Sequence, residues 1–277
     1  NGGDELLYLL TGCFISSGDE VILGEYGFST YEIASTMYGA KIIKIPLKKG
    51  FLDLPTIARQ TNAKTKMIFL CNPYNPDGTI FTQQELEKFL ENISDKIIIV
   101  MDEAYIDFVE SKDFPNSINL IKEKNNPIVS LRTFSKIGGI AGLRIGFGIA
   151  QPEFVNCLRK VQQPYSVNRL AQTAARACIN DNDYRDQLLQ NNREGKDYLY
   201  KELTALNLFY HQTQTNFIFA DTQKDADMVC EKLAEKGIIV RSGKVWGKDT
   251  FIRVTIGTET QNKIFIKALT DILQENI

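Results

Sequence analysis

The sequence predicts an α/β fold, with a mostly parallel mixed sheet in a large domain and a smaller C-terminal α+β domain. Over the first half of the chain, short apolar runs rich in Ile and Val alternate with helical patterns. Unbroken β-branched runs favour strands that are covered on both faces. Repeated strand–helix alternation implies parallel strands joined by right-handed crossovers. From Pro152 to about Leu206 the pattern is almost entirely helical, and strands return only after it.

The elements of the first region follow from these local patterns. Strands are predicted at residues 20–23, 41–45, 66–71, 96–101, 127–131 and 143–149. Helices are predicted at residues 4–14, 30–38, 54–60 and 82–91. The last of these helices begins Thr82-Gln-Gln-Glu85. This is a capping box, because each of the two side chains can accept a hydrogen bond from the other residue's backbone N–H.

Two long helices, at residues 168–180 and 184–203, are predicted to lead into the second region. Three strands follow at 216–220, 237–240 and 251–255, with helices at 226–236 and 259–274. We therefore expect a large domain over residues 1–165. A helical connection and a small domain are expected over residues 166–277.

Composition argues against several classes of function. The 277 residues carry a net charge of −2, and their lysines and arginines are scattered, whereas a nucleic-acid-binding protein carries basic stripes. No apolar run approaches the length of a membrane span, so no membrane partner is expected. Five widely spaced cysteines, with no C-x-x-C pair, indicate reduced thiols in the cytoplasm. The single histidine, His211, cannot by itself support a histidine-dependent hydrolase or a zinc site, so no metal is expected.

The segment Thr133-Phe-Ser-Lys136 is the most informative part of the chain. It places a lysine amine beside the hydroxyl of Ser135, just before a glycine-rich turn, and Arg144 follows this turn. A lysine that bonds to a phosphorylated aldehyde needs such surroundings. The amine forms the covalent bond, while the hydroxyl and the guanidinium hold the phosphate. The expected aldehyde is pyridoxal 5′-phosphate (PLP).

Other polar residues are predicted at the same edge of the sheet. Asn75 follows one strand, Asp102 and Tyr105 follow the next, and Lys136 follows a third. In parallel α/β sheets, ligands bind beyond the carboxyl ends of the strands. These side chains are therefore expected to face one ligand.

Each residue type has a matching role toward PLP. Asp102 can keep the pyridine nitrogen protonated, so that the ring accepts electrons. Asn75 and Tyr105 can donate hydrogen bonds to the ring's phenolate oxygen, and Phe28 can lie against the ring face. The lysine can move a proton between the substrate Cα and the cofactor carbon. The phosphate would meet a hydroxyl, a cation and the free N–H groups at the start of the first helix; these residues are Gly3, Asp4, Ser135 and Arg144.

Several motifs, in order along essentially the whole chain, resemble the fold-type I PLP-dependent transferases, and among them the histidinol-phosphate aminotransferase family. The motifs are Gly3-Asp-Glu-Leu6, Asn75-Pro-Asp-Gly78, Asp102-Glu-Ala-Tyr105, Thr133-Phe-Ser-Lys136, Gly142-Leu-Arg144, Gln163-Pro-Tyr-Ser-Val-Asn168, Gly237-Ile-Ile-Val-Arg241 and Arg253-Val-Thr-Ile-Gly257. The resemblance implies that Lys136 is the Schiff-base lysine and that the other residues have the roles described above.

The resemblance also implies a substrate site and a reaction. Arg253 matches the arginine that binds the substrate carboxylate, Arg241 would assist it at a phosphate ester, and Asn168 would contact the substrate. One guanidinium site can serve both anions, since its fork fits either. The implied reaction is the reversible transamination of L-histidinol phosphate with 2-oxoglutarate, which gives imidazole-acetol phosphate and glutamate in histidine biosynthesis. The family further implies a cytoplasmic homodimer.

Two departures from the family pattern, and the motifs shared by related PLP enzymes, leave alternatives open. The chain opens on Asn1-Gly2-Gly3-Asp4 without an initiator Met, so an N-terminal arm of the family is expected to be missing. Asp77 stands where family members usually have Thr. The alternatives are an aromatic amino acid aminotransferase, a PLP-dependent decarboxylase of a phosphorylated amino acid, and an inactive truncated remnant.

Overall fold

The computed structural model describes residues 1–275. They form two compact units. The first comprises residues 1–75 and 80–182, and the second comprises residues 76–79 and those from Asp183 onward. No helix among the described residues is both long and apolar enough to cross a membrane.

The first unit is built on a six-stranded sheet. Its order is β2-β1-β3-β4-β5-β6, and all neighbours are parallel except β6, which runs antiparallel to β5. The prediction of a mostly parallel mixed sheet is therefore confirmed. The strands are β1 (Glu20–Gly24), β2 (Lys41–Ile45), β3 (Thr65–Cys71), β4 (Ile98–Asp102), β5 (Ile128–Thr133) and β6 (Gly146–Ile149).

Helices cover both faces of this sheet. Met67 and Phe69 of β3 belong to one apolar cluster, while Ile68 and Leu70 of the same strand belong to the other. Because successive side chains of a strand point to opposite faces, both faces of β3 are buried, as its unbroken apolar run predicts. The helices are α1 (Gly2–Phe14), α2 (Thr30–Met37), α3 (Leu54–Gln60), α4 (Gln83–Glu91), α5 (Ser117–Glu123), α6 (Pro152–Val161) and α7 (Arg169–Asn180).

Local signals explain where two of these helices begin. The predicted capping box is present at α4: Thr82 Oγ1 accepts from the Glu85 N–H at 3.3 Å, and Glu85 Oε2 accepts from the Thr82 N–H at 2.7 Å. At α3, the Asp53 carboxylate accepts from the Thr56 N–H at 3.0 Å. These side chains satisfy N–H groups that have no partner within the helix.

The second unit contains a four-stranded antiparallel sheet of order β7-β8-β10-β9. One apolar cluster joins this sheet to three helices, with Leu203, Leu233 and Leu269 at its centre. The strands are β7 (Phe209–Tyr210), β8 (Phe217–Asp221), β9 (Arg241–Ser242) and β10 (Phe251–Thr255), and the helices are α8 (Asn182–Ala205), α9 (Ala226–Glu235) and α10 (Glu259–Gln274).

The predicted strand at residues 237–240 is wrong, since β9 begins only at Arg241. Gly237 adopts φ +77° directly after α9. Its N–H donates to the Ala234 carbonyl at 2.8 Å, and the Ile238 N–H donates to the Leu233 carbonyl at 2.9 Å. These groups therefore terminate the helix instead of joining the sheet.

An ion pair between a buried carboxylate and a partly exposed guanidinium links the ends of β4 and β5. Glu103 is 0% exposed, and its Oε2 accepts from Ser130 Oγ at 2.7 Å and from Arg132 Nε at 2.9 Å. Among the described residues, Glu103 Oε1 has no hydrogen-bond partner. If the Arg132 cation is removed, the Ser130 hydroxyl is the one side-chain donor within the described part of the chain that still bonds to the Glu103 carboxylate.

Arg132→Ala should lower the free energy of unfolding by about 3 to 5 kcal/mol, because it leaves the Glu103 carboxylate buried without its cation. Urea unfolding would measure this change. The double variant Arg132→Met with Glu103→Leu removes both charges and should lose clearly less stability than the single variant. Equal losses in both proteins would contradict an electrostatic origin.

Candidate active site

Three neighbouring parallel strands end at the same edge of the first unit's sheet. In the register of β3, β4 and β5, Cys71 pairs with Asp102, and Asp102 pairs with Leu131. The segments that carry Asn75, Asp102 and Lys136 therefore start from adjacent points of one edge. This is the place where parallel α/β sheets bind ligands.

Asp102 is the last residue of β4, and its carboxylate is held at both oxygens. The Ala104 N–H donates to Oδ1 at 3.0 Å, and the Tyr31 hydroxyl donates to Oδ2 at 2.5 Å. Burial raises the pKa of Asp102, the two hydrogen bonds oppose this effect, and the negative charges of Glu103 and Asp4 add to it. A positively charged group bound against this carboxylate would relieve the cost of burying its charge.

Tyr31 is a site residue that the sequence prediction missed. Its ring lies parallel to that of Phe69, with centroids 4.8 Å apart and an angle of 9°. The ring of Phe28 meets it edge-on, with centroids 5.5 Å apart. Tyr31 stands three positions after Phe28, at the second residue of the predicted helix, and this spacing is the only signal that links it to the site.

Lys136 lies in the segment that follows β5. Its Nζ is 5.2 Å from the centroid of the Tyr105 ring, which is a cation–π contact. Tyr105 is buried, and it follows β4 by three residues. The structure thus brings together the predicted catalytic lysine and one of the predicted ring-binding residues.

Asn75 and Phe28 lie on segments that approach each other closely. The Tyr74 hydroxyl donates to the Tyr26 carbonyl. A Cβ atom placed on Gly27 would lie 3.4 Å from the Asn75 carbonyl oxygen, so the absence of a side chain at Gly27 permits this approach. The Asn75 segment is therefore held against the segment that carries Phe28.

The predicted anion site lies at the start of α1. Arg144 Nη2 is 3.0 Å from Asp4 Oδ2. A Cβ atom on Gly2 would lie 2.7 Å from Arg144 Nη2, so a glycine at this position lets the guanidinium approach the helix. Arg144 itself adopts φ +56°, an uncommon left-handed conformation for a residue with a side chain.

The predicted phosphate residues come from three segments of the chain. Gly3 and Asp4 lie in the first turn of α1, whose Asn1 cap makes no side-chain hydrogen bond. Ser135 follows β5, and its N–H donates to Thr133 Oγ1 at 3.0 Å. The first turn of a helix offers unpaired N–H groups and a positive dipole, so this end of α1 together with Arg144 is suited to a phosphate.

The predicted substrate residues lie in both units. Asn168, in the first unit, caps α7 by accepting from the Ala171 N–H at 2.8 Å, and it donates to the Leu143 carbonyl at 3.1 Å. In the second unit, Arg253 of β10 pairs in register with Arg241 of β9. Their roles toward a substrate stay predictions.

Two aromatic rings position the Arg253 side chain within the second unit. Its guanidinium carbon lies 4.8 Å from the centroid of Phe217 and 5.2 Å from that of Trp246. Such contacts hold a guanidinium while leaving its N–H edge able to donate. Trp246 is also the only tryptophan of the chain.

The donor set of the first unit fits PLP. No group of three or more His, Cys, Asp or Glu side chains within the described residues could hold a metal ion. The partly buried Asp102 carboxylate would be stabilised by a cationic partner such as a protonated ring nitrogen, and the end of α1 with Arg144 would be stabilised by an anion. Lys136 supplies the amine that an aldehyde requires.

Comparison with known proteins identifies the family of this chain. A family model described as aminotransferase class I and II matches residues 1–269. The histidinol-phosphate aminotransferase of Moorella thermoacetica is 44% identical over 273 residues, which cover 99% of this chain and 71% of that protein. Histidinol-phosphate aminotransferase 2 of Carboxydothermus hydrogenoformans is 42% identical over 275 residues, covering 99% of this chain and 76% of that protein.

Solved structures share the fold. The histidinol-phosphate aminotransferase of Sinorhizobium meliloti, in complex with pyridoxal-5′-phosphate, has a TM-score of 0.91 at 24% identity, covering 99% of this chain and 75% of that one. The L-threonine-O-3-phosphate decarboxylase of Porphyromonas gingivalis has a TM-score of 0.84 at 25% identity, covering 99% and 82%. The family match and the curated relatives confirm the resemblance found in the sequence: the chain belongs to the aminotransferase class I and II family.

Proposed function

We propose that this chain is a PLP-dependent aminotransferase that moves the amino group of L-histidinol phosphate to 2-oxoglutarate, and so serves histidine biosynthesis. The observation that carries the proposal is the partly buried, doubly hydrogen-bonded Asp102 at the sheet edge from which the Lys136 segment also starts. The curated relatives named above carry the same activity in their names. They support transamination of this substrate over the aromatic, decarboxylating and inactive alternatives.

In this proposal the first unit binds the cofactor. Asp102 would hold the pyridine nitrogen, Asn75 and Tyr105 the ring oxygen, and Phe28 the ring face. The phosphate would be bound by the residues at the start of α1 and after β5, namely Gly3, Asp4, Ser135 and Arg144. When bound, PLP supplies an electron sink that stabilises negative charge at the substrate Cα.

Lys136 would have two tasks. Its Nζ would hold the cofactor by its aldehyde. As a free amine, the same group would move a proton between the substrate Cα and the cofactor carbon, which is general acid–base catalysis by a positioned lysine. The contact with the Tyr105 ring would keep the free side chain near the end of β4.

The second unit would supply the cations for the substrate anion. Arg253 and Arg241 are cross-strand neighbours and can each present a fork of N–H donors to a phosphate ester or a carboxylate. Both half-reactions need such a site, since one substrate carries a phosphate ester and the other carries carboxylates. Asn168 would make a further substrate contact.

We further propose that residues 1–165 form the cofactor-binding domain and residues 166–277 the helical connection and small domain, and that the enzyme is a cytoplasmic homodimer. All five cysteines are free thiols in the structure, in accord with a reducing compartment. Light scattering on the eluted protein at several concentrations would test the dimer. A constant mass of one chain would overturn it.

The first experiment is a half-reaction. The protein is loaded with PLP, its visible spectrum is recorded, and L-histidinol phosphate is added without a keto acid. The visible band of lysine-bound cofactor should disappear, and pyridoxamine 5′-phosphate should be recovered after acid treatment. A response to phenylalanine or tyrosine but not to histidinol phosphate would favour the aromatic enzyme. Release of CO₂ from a phosphorylated amino acid would favour the decarboxylase. Failure to bind PLP would favour the inactive remnant.

Arg253→Lys should lower kcat/KM for histidinol phosphate by about 10- to 100-fold, because an ammonium cannot replace the two parallel hydrogen bonds of a guanidinium. Trp246 gives a second measurement that needs no cofactor. Its fluorescence should respond to histidinol phosphate in the unloaded native protein and not in the variant. The matched control is Arg159→Lys on the exposed face of α6; an equal loss in both variants would contradict the assignment.

A further inference from the structure

The Tyr31 hydroxyl is the only side-chain donor bonded to Asp102 among the described residues. This hydroxyl has no role in the function proposed above. It donates to Asp102 Oδ2 at 2.5 Å, across 71 residues of sequence. Tyr31 is 5% exposed and Asp102 is partly buried, so water reaches this bond only from the Asp102 side. A hydrogen bond to an ionised group in such a place is stronger than one at the surface.

The surrounding structure fixes the direction of this hydroxyl. The ring of Tyr31 is stacked on Phe69 of β3 and meets Phe28 edge-on. The Tyr31 backbone is held in the first turn of α2, where its carbonyl accepts from Ser35 Oγ at 2.7 Å. The phenol therefore cannot turn away from Asp102 without breaking packing on both rings.

The two charged neighbours of Asp102 disfavour its ionised form. The charges of Glu103 and of Asp4, from α1, raise the pKa of Asp102, as burial does. Cys71 of β3 also interacts with Tyr31 and Asp102, and burial raises the pKa of its thiol, so it stays neutral. Within residues 1–275, the hydrogen bonds from the Tyr31 hydroxyl and the Ala104 N–H are what lowers the pKa of Asp102.

Tyr31 is suited to remain a neutral donor. Burial and the Asp102 charge raise its pKa well above the ordinary value for a tyrosine. The phenol therefore keeps its proton at neutral pH. A carboxylate has about four lone-pair sites, so the bonds from Tyr31 and Ala104 leave acceptor capacity for a third donor.

We propose that Tyr31 is a positioning residue that keeps the Asp102 carboxylate ionised and aimed, and thereby governs the protonation of a pyridine nitrogen bound against it. This inference rests on the cofactor site proposed above. Tyr31 does not touch the reacting atoms in this scheme. It acts through Asp102, as residues behind a ligand tune a bound group through the ligand.

The test is Tyr31→Phe, which removes one oxygen atom and keeps the ring between Phe28 and Phe69. In the unloaded protein, carboxyl-carbon NMR of labelled aspartates, with the Asp102 signal assigned from Asp102→Asn, should show that the variant raises the pKa of Asp102. In the PLP-loaded protein, the pH at which the visible band changes should shift. We expect kcat to fall about 10- to 100-fold, the range for loss of a hydrogen bond to a charged group, with KM little changed.

The matched control is Tyr210→Phe, which removes a tyrosine hydroxyl of the second unit that donates to the Tyr200 carbonyl at 3.0 Å. It should leave the pKa of Asp102, kcat and the pH dependence of the visible band unchanged. An unchanged Asp102 pKa in Tyr31→Phe would overturn the inference whatever the protein does with PLP. If that pKa rises in the unloaded protein but no visible band forms with PLP in the native protein, the cofactor proposal fails while the action of Tyr31 on Asp102 stands.

Discussion

Lys136→Ala is expected to abolish transamination, with a fall in kcat of about 10⁴-fold or more. The variant loses the amine that holds the aldehyde and the only group assigned to carry the proton, and general acid–base catalysis by a positioned side chain contributes up to about 10⁴-fold by itself. Initial rates with histidinol phosphate and 2-oxoglutarate measure the effect. Borohydride reduction of the loaded native protein should fix the cofactor to the peptide that contains Lys136.

The control for this prediction is Lys160→Ala, an exposed lysine on α6. It should keep full activity and the native borohydride product. Lys136→Ala should still bind PLP without a covalent bond, because Asp102 and the phosphate site remain. Cofactor fixed to another lysine in the native protein, or an active Lys136→Ala enzyme, would disprove the assignment.

Asp102→Asn should lower kcat by at least about 10²-fold, the usual cost of removing one group that stabilises charge developing in the transition state. An amide in place of the carboxylate cannot keep the pyridine nitrogen protonated, so the ring becomes a poor electron acceptor. The visible band of the loaded variant should also lose its native dependence on pH. Steady-state kinetics and a spectral pH titration measure the two effects.

The same variant should behave differently before PLP is added. Burial raises the pKa of Asp102 in the folded protein. For an acid with a raised folded pKa, the contribution to stability is present below its unfolded pKa and is lost as the pH rises through the folded value. At neutral pH the unloaded native protein therefore bears the cost of a buried charge, and Asp102→Asn should unfold at the same or a higher temperature. A markedly less stable unloaded variant would mean that its activity loss reflects misfolding.

Local sequence patterns predicted most of the fold. The observed bounds of α3, β2, β10 and α10 equal the predicted ones, because periodicity, caps and turn residues act over a few neighbouring positions. The strand predicted at residues 237–240 is wrong, because an apolar run that follows a helix can form the C-terminal cap of that helix instead of a strand. The short helix α5 was not predicted, although Asn116 caps it.

The sequence predicted the part of the candidate site that depends on where strands end. Parallel strands bring their carboxyl ends to one edge, so the sequence by itself placed the segments that carry Asn75, Asp102 and Lys136 at one edge of the sheet. It could not place Tyr31 against Asp102 or Asp4 against Arg144, which are separated by 71 and 140 residues. Those contacts depend on which helix packs on which strand. The packing arrangement is determined by the burial of apolar surface over the whole unit, which short stretches of sequence do not reveal. Residue types and local order therefore determined the chemistry available to this protein, while only the tertiary structure decided which groups hold Asp102 and Arg144 in position.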